Sequence, residues 1–386
     1  MKLGLAFICG NETTQIEEML DSVECVKFDS ISAVLTRDSI PTEEILKERG
    51  CKTTKLEEPW KEGYSNWDFA KARQISYDNC DADWIIYLDT DDVLWNAEGL
   101  RKLVEECENY DSIVLPYDYE PNNIYSKERV VKKGKYKWRG LVHECLIPIS
   151  EVKPFVSDSV VVVHKSVLNN RFERNLFLIE KEYKTKNKTP RTVYYCGKDS
   201  FFLGKTEKAK KYFKEFLETK GEKTEKHSAC MYLVGLAGSD LAEAEKWCKE
   251  AIKLLPEFAE PYLKLAWISF NRGNYRKCID YTNFAFSEKI LAPPFGTPHN
   301  KLVFSVYPKQ LLDIAIAKEA ERMDISKMSL NELKVLAYDQ ISLLEQAQVN
   351  LKAINEAIAK KNIAAQTERQ VSSSNAIVKE EKGKKG

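Results

Sequence analysis

An apolar segment that ends in a cluster of carboxylates constrains the fold of this chain most strongly. Residues 85–88 suit a buried strand, and Asp89, Asp91 and Asp92 follow directly after it. A short apolar run bounded by polar residues predicts a strand inside a sheet. In open α/β sheets, the carboxyl ends of the strands face the crevice where ligands bind. The segment therefore places three acidic side chains at a ligand-binding edge.

Carboxylates this close together imply a cation. Asp89 and Asp91 repel each other when both are ionised, unless a positive charge relieves the repulsion. Oxygen ligands suit Mg²⁺ or Mn²⁺, and such ions commonly bridge protein carboxylates to the phosphates of a substrate. A solvated acidic turn after the strand is the alternative that these residues alone leave open.

Composition narrows the class of protein. The 386 residues suit two or three domains. Lys+Arg and Asp+Glu both number 59, so bulk charge does not favour nucleic-acid binding. The cysteines form no C-x-x-C pair, which argues against a zinc knuckle or a redox dithiol and favours a reducing compartment. No apolar run approaches the roughly 18 residues of a membrane span, so we expect a cytoplasmic protein.

Residues 1 to about 165 alternate strand-like runs with helical stretches. The strand-like runs are 3–9, 31–35, 84–88, 112–116 and 160–164, and the helical stretches are 12–23, 42–48, 66–80 and 97–108. This alternation predicts βαβ units and a mostly parallel sheet, and we assign residues 1–168 to the α/β domain. The basic stretch 127–137 predicts an exposed hairpin or a flap over the site.

A degenerate repeat of about 35 residues follows. Gly204, Gly238 and Gly273 are spaced 34 and 35 residues apart. A small residue follows each glycine by five or six positions: Ala209, Ala244 and Cys278. In tetratricopeptide-like repeats the glycine makes the turn and the small residue lets two helices approach closely. We therefore assign residues 169–290 to helical repeats of this kind.

The remaining residues divide into three segments. Residues 291–328 predict a proline-rich connection and a helix. Residues 329–361 follow heptad spacing, which predicts a long helix that either packs on the repeats or forms a coiled coil and makes the protein a homo-oligomer. Residues 362–386 have the composition of a disordered tail.

Candidate ligand-binding side chains occur in five further places. Asn11 and Asp38 follow the first two predicted strands, where a nucleoside could be held, although a helix cap and a surface ion pair would also explain them. Arg73 lies in the helical stretch that opens near Asp68, and a guanidinium suits a diphosphate. A solvated basic helix face is the alternative for Arg73.

Glu144 and His164 complete the candidates. A Trp-x-Gly turn leads into His143 and Glu144, and a desolvated Glu144 could act as a general base; a hydrogen-bonded loop residue is the alternative. His164 ends an apolar strand in a domain that already has paired carboxylates, which favours a third metal ligand.

Taken in order, these motifs resemble the family 2 glycosyltransferases that carry tetratricopeptide-like repeats behind the catalytic domain. The match rests on residues 11–12, on residues 68–73 ahead of 83–92, and on residues 140–144. The resemblance implies an α/β GT-A (nucleotide-diphospho-sugar transferase) domain followed by an all-α TPR-like repeat domain and a long C-terminal helix. Many members also carry a Gln-x-x-Arg-Trp segment. Its absence here implies transfer of a single sugar rather than polymer synthesis.

The resemblance also implies roles for individual residues. Asp91 and His164 would bind Mn²⁺ or Mg²⁺, and Glu144 would deprotonate the acceptor so that the anomeric centre inverts. The donor, a UDP-sugar by preference, would contact five side chains: Asn11, Asp38, Asp68, Arg73 and Asp89. The concave face of helical repeats usually binds peptides, so we expect a protein or peptide acceptor, with a glycan or nucleic acid as alternatives.

Two other functions fit parts of the sequence. An apolar strand followed by D-x-D also begins the haloacid-dehalogenase phosphatases, in which Asp89 would be the nucleophile. That chemistry requires a later pair of metal-binding aspartates, and no Asp-Asp or Gly-Asp pair follows position 92. A non-catalytic scaffold, with a vestigial GT-A domain and partner-binding repeats, is the alternative to an enzyme.

Overall fold

The computed structural model describes residues 1–120, 123–165, 171–287 and 307–322. A compact unit spans Met1–Lys318, and it contains the sheet, the helical repeats and the candidate site. The described residues after Lys318 belong to a second unit.

The α/β part contains these strands within the described residues: β1 Leu3–Cys9, β2 Ser30–Leu35, β3 Lys52–Lys55, β4 Trp84–Tyr87, β5 Asp92–Trp95, β6 Ser112–Glu120, β7 Asn123–Lys132, β8 Tyr136–Arg139, β9 Cys145–Pro148, β10 Pro154–Val156 and β11 Val161–His164. Its helices are α1 Thr13–Ser22, α2 Ile40–Glu48, α3 Phe69–Asn79 and α4 Leu100–Glu106.

The main sheet is mixed, with the strand order β3-β2-β1-β4-β7-β6-β11-β5 and with β10 also paired to β6. The strands β1 to β4 are parallel to one another, so their carboxyl ends meet at one edge. On the other side of β4, β7 runs antiparallel to both β4 and β6. The antiparallel pairing of β11 with β5 sets His164 opposite Asp92. The sheet thus gathers the predicted site residues that end these strands.

Both faces of the sheet are covered, which explains why β1 is buried along its whole length. Alternate side chains of a strand point to opposite faces. Leu5 and Phe7 pack in one core with α1 and α4, whereas Ala6 packs on the other face with Ala70 of α3. The helix that carries Arg73 therefore lies directly on the face opposite α1 and α4.

The expectation of an exposed hairpin or flap at residues 127–137 is wrong. Residues up to Lys132 form β7, which is an interior strand because it pairs with β4 on one side and β6 on the other. Arg129 is 0% exposed, as are Val130 and Val131 beside it. The basic side chains made this segment resemble surface, but a buried carboxylate partner makes the burial of Arg129 possible.

The helical part contains these described helices: α5 Arg171–Tyr183, α6 Pro190–Phe202, α7 Thr206–Leu217, α8 Lys223–Leu236, α9 Leu241–Leu254, α10 Ala259–Asn271, α11 Tyr275–Ala285 and α12 Tyr307–Arg322. Consecutive helices pack in pairs, α6 with α7, α8 with α9, and α10 with α11. None of the helices that the structure describes is both long and apolar enough to cross a bilayer.

The repeat predicted from the glycine spacing is confirmed. Gly204, Gly238 and Gly273 follow α6, α8 and α10, and their φ angles are 67°, 59° and 70°. Glycine is favoured in this left-handed conformation because it has no Cβ. Ala209 and Cys278 are 0% exposed in the partner helices, where small side chains allow close packing. The heptad-patterned segment 329–361, the tail 362–386 and most of the connection 291–328 lie outside the described residues.

Candidate active site

The site begins at the N-terminus of α3. The side chain of Asp68 accepts a hydrogen bond from the Lys71 backbone N–H at 2.8 Å and so caps the helix, which starts at Phe69 rather than at residue 66. Burial raises the pKa of Asp68. In the structure Asp68 therefore caps α3, and its contact with a donor nucleotide remains a prediction.

Arg73, one turn further along α3, joins two of the predicted site carboxylates. Its Nε lies 2.5 Å from Glu144 Oε1, and its Nη2 donates to Asp89 Oδ1. The guanidinium centre is 5.2 Å from the Trp138 ring, and the Arg73 side chain is only 9% exposed. In the described part of the chain, Nη1 of Arg73 is buried without a hydrogen-bond partner. The arginine therefore has a donor left for a ligand.

Positive charge surrounds Asp89. Burial opposes ionisation of Asp89, but Arg73, Arg129 and Lys127 together hold its pKa below the usual range. Burial and the neighbouring Arg129 in turn lower the pKa of Lys127 to about 8. Asp89 is therefore a carboxylate at neutral pH, and its negative charge interacts with three basic side chains.

Asp92 anchors the acidic turn. It is 0% exposed, and its Oδ2 lies 3.2 Å from Arg129 Nη1 and accepts from the Asp89 N–H at 3.1 Å. Its Oδ1 accepts from the Tyr117 hydroxyl at 3.0 Å and lies 3.2 Å from His164 Nδ1. Both oxygens are thus engaged, so Asp92 fixes the turn and orients His164.

Arg129 is expected to be a large contributor to stability. Its only carboxylate partner among the described residues is Asp92, and the Tyr117 ring lies 4.2 Å from its guanidinium centre. Arg129→Gln should lower the free energy of unfolding by about 3–5 kcal/mol, because it removes the buried cation that faces Asp92 Oδ2. Denaturant unfolding measures the loss. The exposed Lys137→Gln serves as the control; equal stability of the two variants would contradict the assignment.

Asp91, Asp92 and His164 form a group that fits a divalent cation. Their ligand atoms lie within 4.8 Å of one another. The ring nitrogen of His164 that faces both carboxylates is Nδ1, which lies 3.2 Å from Asp92 Oδ1 and 3.6 Å from Asp91 Oδ1, and Nε2 is buried without a hydrogen-bond partner in the described residues. Burial, followed by the charge of Asp89, raises the pKa of Asp91 to about 6, and a bound cation would favour its ionised form.

The remaining predicted residues lie at the same edge of the sheet. Asn11 and Asp38 follow β1 and β2, and both are exposed. Glu12, to which the sequence assigned no role, connects β1 to the acidic turn, because its Oε1 accepts from the Gly10 N–H at 3.0 Å and from the Thr90 hydroxyl at 3.2 Å. The structure therefore brings Arg73, Asp89 and Glu144 into contact and leaves Asn11 and Asp38 open to solvent.

Sequence reasoning missed several residues of this site. Arg129 and Lys127 project from β7, and Tyr119 at the end of β6 stacks on His164 with ring centroids 4.9 Å apart. The apolar pair Val130–Val131 was the only local sign that Arg129 belongs to an interior strand. No sequence signal distinguishes Tyr119 from a surface tyrosine.

A cavity of about 320 Å³ lies beside the loop that carries Glu144. His143 and Cys145, which flank Glu144 in the chain, line one side. Tyr195, Arg191 and Glu225 of α6 and α8 line the other. The cavity therefore lies between the Glu144 loop and the helical repeats, and Glu144 itself does not line it.

Comparison with known proteins gives a partial match. No protein-family model matches the chain. The chain is 26% identical over 220 residues to the SPbeta prophage-derived glycosyltransferase SunS of Bacillus subtilis (strain 168), a match that covers 53% of this chain and 50% of that protein. The glycosyltransferase SunS of Bacillus phage SPbeta matches equally. The chain thus spans about half the length of the curated relatives it matches.

Solved structures show a weaker likeness. The structure of S. aureus TarS 1–349 in complex with UDP is 12% identical, with a TM-score of 0.35 and coverage of 74% of this chain and 89% of that one. A MamA protein is 17% identical, with a TM-score of 0.34, and the match covers 47% of this chain and 82% of that one. TM-scores this low do not establish a shared fold.

Proposed function

We propose that this protein is a glycosyltransferase that moves a single sugar from a nucleotide sugar, preferentially a UDP-sugar, to an acceptor. The similarity to SunS supports transfer of a sugar. The observation that carries the proposal is the position of Arg73, which joins Asp89 to Glu144 beside the Asp91–His164 pair. The groups that would bind a diphosphate and accept a proton are therefore adjacent to one another.

The donor half of the site comprises the strand ends and Arg73. Asp91 and His164 would hold Mn²⁺ or Mg²⁺, which when bound neutralises negative charge on the departing nucleoside diphosphate. The buried Nη1 of Arg73 can donate to a phosphate oxygen. Asn11 and Asp38, which are exposed after β1 and β2, would hold the nucleoside, and Asp89 would contact its ribose.

The acceptor half centres on Glu144. The ion pair between Glu144 Oε1 and Arg73 orients the carboxylate, and the Glu144 side chain is 12% exposed. We assign to Glu144 the removal of the acceptor proton during direct attack on the anomeric carbon, which inverts that centre. We propose that the cavity between the Glu144 loop and the repeats holds part of a peptide or protein acceptor, whose reacting group would extend beyond the cavity to Glu144. A glycan or a nucleic acid remains the alternative acceptor.

Thermal denaturation with UDP and Mn²⁺ tests the proposal. At a UDP concentration 100 times its dissociation constant, binding should stabilise the protein by about 2.7 kcal/mol. UDP alone should stabilise it less, because the predicted metal connects the carboxylates to the diphosphate. The thermal stability of a non-catalytic scaffold would not change with any nucleoside diphosphate, with or without Mn²⁺. That outcome would contradict the proposal and favour the scaffold.

A further inference from the structure

We infer that Asp199, in the helical repeats, is a positioning residue for Glu144. It acts through His143 on the loop that carries the proposed base. The inference rests on the proposed function, since it assigns the helical repeats a part in orienting that base. Nothing in the sequence motifs points to it, because Asp199 and His143 are 56 residues apart.

The loop before Glu144 has an unusual backbone. Gly140 has a φ of 106° and His143 a φ of 51°, and both values lie in the left-handed region. A Cβ on Gly140 would lie 3.2 Å from the Val142 carbonyl oxygen, so a side chain would be strained there. A positive φ is uncommon for a residue other than glycine because the Cβ crowds the backbone. Such a residue persists only where its surroundings hold it in that conformation. The loop therefore depends on contacts from outside.

The contacts to the His143 ring come from α6. His143 Nε2 lies 2.7 Å from Asp199 Oδ2, and the imidazole stacks on the Tyr195 ring with centroids 3.9 Å apart and an interplanar angle of 19°. The Asp199 side chain is 1% exposed, so solvent does not compete for this hydrogen bond. The stacking fixes the plane of the imidazole, and the carboxylate fixes its rotation within that plane.

The backbone of the same loop is held as well. Arg191 of α6 donates from Nε and Nη2 to the His143 carbonyl, each at 3.4 Å. The Leu141 N–H donates to Glu182 Oε2 of α5 at 2.7 Å, and the Leu141 carbonyl accepts from the Phe69 N–H at 3.0 Å. The helices of the repeats and the first residue of α3 thus hold the loop from two sides.

These contacts bear directly on Glu144. One peptide bond separates His143 from Glu144, whose Oε1 lies 2.5 Å from Arg73 Nε. A general base must lie within hydrogen-bond reach of the proton it removes, and a displacement of about 1 Å can reduce the rate roughly 100-fold. Release of the His143 ring would let the left-handed backbone relax and move Glu144. The repeats would therefore set the geometry of the base.

Two substitutions at Asp199 distinguish a role in positioning the loop from a general role in folding. Asp199→Asn keeps an oxygen that can accept from His143, whereas Asp199→Ala removes it. Hydrogen–deuterium exchange of residues 139–146 should rise about tenfold in Asp199→Ala and stay near wild type in Asp199→Asn. Release of UDP from UDP-glucose with Mn²⁺ should fall about 10- to 100-fold in kcat in Asp199→Ala only, with KM nearly unchanged.

Glu215→Gln is the matched control, because Glu215 makes the same kind of contact to Tyr183 and Lys188 without touching the loop. If Asp199→Ala does not fold, His143→Asn replaces it, since asparagine tolerates the left-handed backbone but cannot reach Asp199. Unchanged exchange in the loop, or an equal loss of UDP affinity and kcat, would overturn the inference. A wild-type protein that neither binds UDP nor hydrolyses the donor would instead overturn the proposed function, even if loop exchange responds to Asp199→Ala.

Discussion

Glu144→Gln should reduce sugar transfer by about 100- to 10,000-fold, the range by which a positioned general base accelerates a reaction. The glutamine has the size of glutamate but cannot accept the acceptor's proton. Glu144 is the predicted base, and Arg73 forms ion pairs with both Glu144 and Asp89. Initial rates of transfer at saturating donor, compared with wild type, measure the effect.

Nucleotide binding should survive this substitution. The amide oxygen of glutamine can still accept from Arg73 Nε, so the guanidinium keeps its position and its contact with Asp89. The dissociation constant for UDP with Mn²⁺ should therefore stay within about twofold, because only an interaction made during the chemical step is lost. Glu151→Gln, on the exposed segment after β9, is the control and should be fully active. Wild-type turnover in Glu144→Gln would refute the role of Glu144 as base.

Asp91→Ala should abolish the Mn²⁺-dependent part of UDP binding and reduce transfer by about 100- to 1,000-fold, since a catalytic metal contributes several kcal/mol. Asp91 is the carboxylate that the structure leaves available, because both oxygens of Asp92 are already engaged by Arg129, Tyr117 and other groups. Calorimetric titration with UDP, with and without Mn²⁺, measures the change.

The variant and wild type should bind UDP equally well when Mn²⁺ is absent. Asp81→Asn is a suitable control, because Asp81 is an exposed carboxylate whose partner Lys2 lies away from the site. If Asp91→Ala kept the full response to Mn²⁺, the metal would be bound by other residues and the assignment of Asp91 and His164 would be wrong.

The sequence predicted the elements that carry strong local patterns. β1 was predicted with its observed bounds because seven consecutive residues are buried on both faces. The Gly204, Gly238 and Gly273 turns were predictable because the spacing of 34 and 35 residues repeats a local requirement for left-handed backbone. The family resemblance assigned Arg73, Asp89 and Glu144 to one site, and the structure brings them into contact, although only Asp89 follows a strand of the main sheet.

The sequence did not predict contacts that depend on long-range pairing. Arg129 resembled a surface residue, and only the placement of β7 between β4 and β6 brings it to Asp92. Asp92 looked less important than Asp89 and Asp91, although it makes four polar contacts. The His143–Asp199 contact joins the α/β part to the repeats, and no periodicity in either segment indicates the other.

The most direct test of sugar transfer is to measure nucleotide release from a panel of UDP- and GDP-sugars by the purified protein with Mn²⁺. We predict release from at least one donor, UDP-sugars foremost, dependent on Mn²⁺ and strongly reduced in Glu144→Gln and Asp91→Ala. Release from no donor, with Mn²⁺ or with Mg²⁺, would contradict the assignment of a nucleotide-sugar transferase.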